Sequence, residues 1–288
     1  MVQMTEDEKE KYISFVNQNL NKFKEWYHPI DFGFGVVAHV CEYPDYIPKP
    51  ELFNNKTRGL SKWEFIIKPN LPDIKGKRVL DLGCNTWLFS IQLALSGSRE
   101  VIGIDRDQSI IQKSNPELAK QDIIAQANFV KKAFEIRERK VLDNVKFINW
   151  DVSKLEKLNL GRFDLILALC LVYHELDGMP DMLRKLSEMS DHIILQTNLM
   201  HKGKLGRWAS IETHVKIMEY LGFESRIVEG SKGYPMPLII CNKKLNAKRR
   251  PSLYKIKVWW LKKIIFYRTY IEIVKEKIMC IRSDLSRQ

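Results

Sequence analysis

The 288-residue chain lacks the glycines of a dinucleotide-binding turn. Gly83 is followed by Cys84, Asn85, Thr86 and Trp87, so the second and third glycines of G-x-G-x-x-G are absent. Without them the backbone cannot close on a pyrophosphate, which argues against a dinucleotide oxidoreductase. Metal-type spacing is missing too. The five cysteines (Cys41, Cys84, Cys170, Cys241, Cys280) are far apart, with no C-x-x-C and no His-rich tract, so reduced cytoplasmic thiols are expected rather than a zinc site or disulfide framework. The acidic N-terminus has no apolar h-region, and no secretion signal is expected. No internal repeat or low-complexity tract occurs. Excess positive charge is missing from most of the chain. Residues 1–240 carry a net +1 of the total +12, and residues 241–288 carry the other +11, with 14 Lys and Arg against Glu272, Glu276 and Asp284.

What is present is a strand-turn-helix-strand passage with two acids. Val79 to Leu82 is a short apolar run suited to a parallel strand buried on both faces. Gly83 allows a sharp turn and close backbone approach to a ligand. Leu88 to Leu95 has helical spacing, and its first turn offers free N–H groups. Glu100 to Ile104 reads as the second strand and ends in Asp105, at roughly the ~20-residue separation from the glycine turn at which an acid meets ribose hydroxyls. Asp81, two residues before Gly83, sits poorly beside a pyrophosphate but suits an ammonium. The combination points to S-adenosylmethionine.

These residues resemble the class I S-adenosylmethionine-dependent methyltransferases. The branch most similar contains the tRNA wobble-uridine carboxymethyl-transferring enzyme and relatives from polysaccharide and small-molecule gene clusters. The resemblance covers roughly residues 58–245 and rests on Trp63, the Asp81-Leu82-Gly83-Cys84-Asn85 turn and the pair Tyr173-His174. It implies cofactor contacts from Trp63, Asp81, Gly83, Cys84, Asn85, Asp105 and Arg106. It implies S-adenosylmethionine as cofactor, with its carboxylated form as the alternative. Trp87 departs from the pattern, standing where the family usually has glycine, so its ring must point away from the cofactor or stack near it.

Further along, Asn144 to Asp151 reads as a third strand. The resemblance makes Asp151 the adenine-contacting acid and Val152 a backbone contact; the alternative for Asp151 is a helix N-cap. Phe163 to Cys170 is the fourth strand, and its carboxyl end at Leu169 should face the donor methyl. Tyr173 and His174 follow. His174 is the candidate general base, since imidazole titrates near neutrality, or else a structural or substrate-orienting histidine. Tyr173 is expected to line the acceptor pocket or to hydrogen-bond near the methionine end. His192 to Asn198 is a fifth strand. A helix spans about Ser210 to Leu221, stopped by Gly222. Glu224 to Val228 and Pro237 to Lys243 complete the sheet, an antiparallel hairpin by resemblance.

The expected fold is α/β: a doubly wound, seven-stranded Rossmann-like sheet with helical N-terminal and C-terminal extensions. The divisions are 1–60, a helix over Glu6–Trp26 plus a substrate lid, 61–245, the catalytic domain, and 246–288, a basic amphipathic helix. The lid is the loop His28 to Gly35, with His28 and Asp31 as substrate contacts; a surface connector is the competing reading. Gln108 to Lys140 reads as two helices broken at Ser114-Asn115-Pro116.

In the tail, Leu253, Ile256, Trp260, Ile264, Tyr267 and Ile271 begin an apolar stripe that continues to Leu285, with lysines and arginines elsewhere on the wheel. Three readings compete: an in-plane helix on an anionic leaflet through residues 251–288, a helix docked on its own domain or a homodimer partner, and an RNA-binding extension. Charges interrupt every apolar run well short of the ~18 residues of a span. The expected activity is methyl transfer to oxygen of a small-molecule or glycan acceptor, lipid-linked if the tail is peripheral on the inner membrane face. Wobble-uridine modification in tRNA and a non-catalytic scaffold are the alternatives.

Overall fold

A computed structural model describes residues 4–23, 26, 30–38, 62–106, 123–197, 207–228, 237–245, 254, 257–267 and 271. His28 and the expected break at 114–116 lie outside the described residues. The chain forms two compact units, Met1–Ala168 and Leu169–Gln288.

Helix α1, Glu6–Leu20, starts at a capping box in which the Thr5 side chain accepts from the Glu8 N–H and the Glu8 carboxylate accepts from the Thr5 N–H. It ends at Asn21, short of the Trp26 expected from periodicity. A hairpin follows, β1 Ile30–Gly33 and β2 Val36–Ala38. A single π-helical turn, Trp63–Ile67, leads toward the central strands.

The first unit then alternates strand and helix: β3 Arg78–Leu82, α2 Leu88–Leu95, β4 Glu100–Asp105, α3 Ile123–Glu138, β5 Val145–Asn149 and β6 Leu165–Leu169. β3 pairs in parallel with β4 on one side and β6 on the other, and β5 adds beyond β4. Direction of winding therefore reverses between β3 and β6, which places a ligand crevice at their carboxyl ends. At the opposite edge Arg78 bridges Glu100 at 2.5 Å, Lys146 meets the same carboxylate at 2.9 Å, and the Arg78 guanidinium lies 4.2 Å over the Phe163 ring. This fastens the leading ends of β3, β4 and β5.

The second unit holds helix α4, Met179–Met189, strand β7, His192–Gln196, helix α5, Ile211–Tyr220, and strands β8, Phe223–Ile227, and β9, Leu238–Lys243. β9 runs antiparallel to both β7 and β8. Ser210 caps α5, and Gly222 ends it with φ +87°, a left-handed conformation that glycine adopts freely. The strand order is β5-β4-β3-β6-β7-β9-β8, one mixed sheet of seven strands.

Candidate active site

The turn after β3 is built from alternating left-handed residues: Gly83 at φ +75°, Asn85 at +47° and Trp87 at +70°. Glycine accepts this freely and asparagine readily, whereas for tryptophan it costs about 1–3 kcal/mol. Backbone N–H groups of Gly83 and Cys84 both donate to the Ile104 carbonyl, at 2.8 and 3.2 Å. The Asp105 carboxylate pins the loop, accepting from the Asn85 N–H and the Arg106 N–H, each at 2.8 Å. Its burial raises the pKa, and the two N–H donors oppose that shift.

Asp81 lies beneath this turn, 1% exposed. The Ser90 hydroxyl of α2 donates to it at 2.6 Å. Burial pushes its pKa up to about 6; the Ser90 hydrogen bond opposes this, Asp105 adds to it, and the Lys62 ammonium pulls the other way. A buried carboxylate so raised favours a cationic ligand group.

The indole of Trp87 points into the sheet face. Register places Asp81, Gly103 and Phe147 side by side on β3, β4 and β5. Trp87 packs on Phe147 at 5.0 Å between ring centroids and is 3% exposed. A Cβ on Gly103 would lie 2.9 Å from Cys84 Sγ, 3.1 Å from Ser90 Oγ and 3.1 Å from Trp87 Nε1. The missing side chain of Gly103 is the space in which the indole sits, so the ring points away from the turn's ligand side. The Cys84 side chain turns inward as well, and burial pushes its thiol up, further raised by Asp81 and Asp105.

Asp151 follows β5 as an N-cap, its carboxylate accepting from the Ser153 N–H at 3.0 Å. The Ser153 hydroxyl is the first cause of its lowered pKa, and this N–H bond adds to it against the opposing effect of burial. One oxygen is thus committed to the cap while the side chain stays part-exposed. Val152 is buried beside it. Trp63 is 1% exposed and stacks on Phe89 in the first turn of α2, 6.3 Å between centroids. Its ring is held in the core against α2.

Asp31 is displaced from its expected place. Residues 30–38 form a hairpin, not a loop, anchored where Phe32 packs on Phe129 and Phe134 and where the Tyr12 hydroxyl donates to the Phe32 carbonyl at 2.8 Å. The Asp31 carboxylate accepts from the Gly33 N–H at 2.7 Å, and its carbonyl accepts from Arg137 in the last turn of α3. α3 leaves the carboxyl end of β4 and returns to the amino end of β5, so its last turn is remote from the crevice. Asp31 does not reach an acceptor there.

In the second unit, Leu169 ends β6 and Cys170 follows at φ +55°, its thiol 3.1 Å from Gln196 Oε1. A short 3-10 segment, Val172–Gly178, carries both expected catalytic residues. Their rings are 4.5 Å apart; Tyr173 is 1% exposed and His174 is half-buried. Sequence reasoning missed His214. It is fully buried on α5, 6.4 Å edge-on to Tyr173, with Nδ1 2.9 Å from the Ser210 carbonyl. That contact makes Nδ1 the N–H, and Nε2 has no hydrogen-bond partner among the described residues. Burial lowers its pKa to about 4. A histidine at one buried helix position leaves no sequence signal of this kind. Gly103 did leave one, since a glycine inside a strand marks close approach of another group.

No family model matches the chain, and no curated protein matches it. Solved structures do. The N-terminal domain of EvdMO1 with SAH bound is 16% identical, covers 80% of this chain and 96% of its own, and superposes with a TM-score of 0.53. The same domain in the presence of SAH and D-fucose is 16% identical, with 84% and 99% covered and a TM-score of 0.51. At this identity the likeness is one of fold. The seven-stranded order with an antiparallel β9, wound about the β3–β6 switch, is the Rossmann-like fold of S-adenosylmethionine-dependent methyltransferases.

Proposed function

We propose that this chain is an S-adenosylmethionine-dependent methyltransferase acting on a hydroxyl of a glycan or small-molecule acceptor. The observation that carries the reading is Asp81: a buried carboxylate with its pKa pushed up to about 6, beneath a left-handed glycine turn pinned by a second carboxylate. The residues fit the cofactor. Asp81 would hold its ammonium, the Gly83–Asn85 backbone its methionine end, Asp105 with Arg106 its ribose hydroxyls, and Asp151 with Val152 its adenine. The inward indole of Trp87 leaves the ligand side of the turn free. The bound cofactor supplies a methyl group activated by a positive sulfonium.

The protein's part is to align the acceptor, exclude water and move one proton. His174 accepts the acceptor's hydroxyl proton as the oxygen takes the methyl group. Tyr173, whose ring lies tilted 4.5 Å from that of His174, holds that imidazole in place. Support for an oxygen acceptor of glycan type comes from the resemblance, and from the EvdMO1 domain studied with D-fucose. The tRNA alternative is disfavoured by the net +1 of residues 1–240, because RNA enzymes surround their pocket with positive charge.

Calorimetry with S-adenosylhomocysteine tests the cofactor half. The wild type is expected to bind and Asp81→Asn to bind at least about tenfold more weakly, the loss of one buried charge pair. Absence of heat at millimolar ligand would reject the reading. Transfer of labelled methyl to a panel of hexoses and deoxyhexoses tests the acceptor half.

A further inference from the structure

Among its described residues the C-terminal helix has two apolar faces, one covered and one exposed. Over residues 257–267 and at 254, Tyr254, Val258, Leu261 and Ile265 are each under 9% exposed. They dock within the second unit, where the Tyr254 hydroxyl donates to the Pro180 carbonyl at 2.6 Å and Lys257 lies over the Tyr220 ring at 4.9 Å. A helix turning roughly 100° per residue puts these four on one stripe. The opposite side carries Trp259, Trp260, Ile264, Phe266, Tyr267 and Ile271, each between 45% and 63% exposed. Four of the six are aromatic. Lys263 stands among them, its ammonium 5.6 Å over the Trp259 ring, and Lys262 and Lys257 flank the face on either side.

We propose that this outward face seats in the headgroup boundary of an anionic membrane leaflet. The inference goes beyond methyl transfer and does not depend on it. An exposed apolar face of this extent marks an interaction site. Tryptophan and tyrosine, an apolar body with a polar tip, favour the membrane–water boundary. Lysines beside them reach anionic headgroups while their stems lie along apolar surface. Charge selects among occupants. Residues 241–288 carry net +11 while the preceding 240 carry +1. A second copy meeting this face across a two-fold axis would set like charge against like charge. An acidic lipid surface is complementary to it. Among the described residues no helix is long and apolar enough to cross a bilayer, so the helix lies in the plane.

Sedimentation of the full chain with phosphatidylcholine vesicles, with and without phosphatidylglycerol, tests this. Binding is expected only with the anionic lipid, and brominated lipid should quench the tryptophan fluorescence of the bound protein. The variant Trp259→Ser/Trp260→Ser/Phe266→Ser/Tyr267→Ser should lose about tenfold or more in partitioning with an unchanged unfolding midpoint, since these rings contribute little to the fold. Should that midpoint move, Lys262→Glu/Lys263→Glu gives the same reading through charge. Vesicle binding equal in wild type and variants would overturn the proposal. So would a dimer, formed without lipid, that the aromatic variant dissociates, or quenching of the same rings by single-stranded RNA in place of vesicles.

Discussion

Trp87 occupies a left-handed position because the turn after β3 must rise sharply and re-enter α2, and the cost is met by burial of its ring over Gly103 and against Phe147. Coupling between the two positions is therefore expected. Gly103→Ala should destabilise the wild type by about 1–3 kcal/mol through overpacking, and markedly less in a Trp87→Gly background. A double-mutant cycle by urea unfolding measures this, and additive effects would refute the shared space. Two buried titrating groups give pH dependences of opposite sign. Asp81 binds its proton more tightly folded than unfolded, so its contribution is full below pH ~4 and is lost as pH rises through about 6. His214, depressed to about 4, contributes stability that is present above its unfolded pKa of ~6.5 and lost as pH falls through about 4. Each spans roughly 3 kcal/mol. His214→Asn, which keeps a donor toward the Ser210 carbonyl, should flatten the acid side of the stability profile; Asp81→Asn should raise stability near neutrality. Ligand binding adds a third consequence. An ammonium favours the ionised Asp81, so affinity for S-adenosylhomocysteine should rise with pH between 5 and 7, approaching tenfold per unit below about 6, and level off above. A flat calorimetric profile would place the ammonium elsewhere.

Individual elements show how far periodicity carries. α5 begins at a serine cap and stops at glycine as its sequence predicts, and the strands of the sheet lie where apolar runs and turn residues set them. Segment 30–38 differs: glycine-rich spacing suggested a loop, yet Ile30 and Phe32 draw it into a hairpin because α1 and α3 present an aromatic surface to bury them. At the leading edge of the sheet, Arg78 donates to the Glu100 carboxylate and to the carbonyls of Leu160 and Arg162. Arg78→Ala removes all of these at once and strips the cover from Phe163. A loss of about 2 kcal/mol is expected in chemical denaturation, with no change in ligand affinity because the edge lies opposite the crevice.

At the scale of the whole molecule, charge and chemistry are segregated. Residues 1–240 are nearly neutral, and the excess cations gather in residues 241–288, which include a helix with its own docking stripe. That stripe makes the C-terminal segment part of the second unit's core. Leu261→Asp should therefore lower the thermal midpoint, with a cost of roughly 3 kcal/mol, whereas Ile264→Asp, on the outward face, should leave it within the range of a surface change. Equal midpoints for the two variants would show the helix undocked. The sequence had assigned the apolar stripe to Trp260, Ile264, Tyr267 and Ile271, the face that remains outside.

Local chemistry was enough to read the alternation of strand and helix, the acid-bearing glycine turn and the second acid after β4, because each depends on neighbours within a turn or a strand. Orientation was decided elsewhere. The direction of the Trp87 ring depends on a glycine in a neighbouring strand, the place of Asp31 on which end of α3 it meets, the state of His214 on complete burial, and the covered face of the last helix on what α4 and α5 leave open. Those are contacts between distant segments, and only packing in three dimensions determines them.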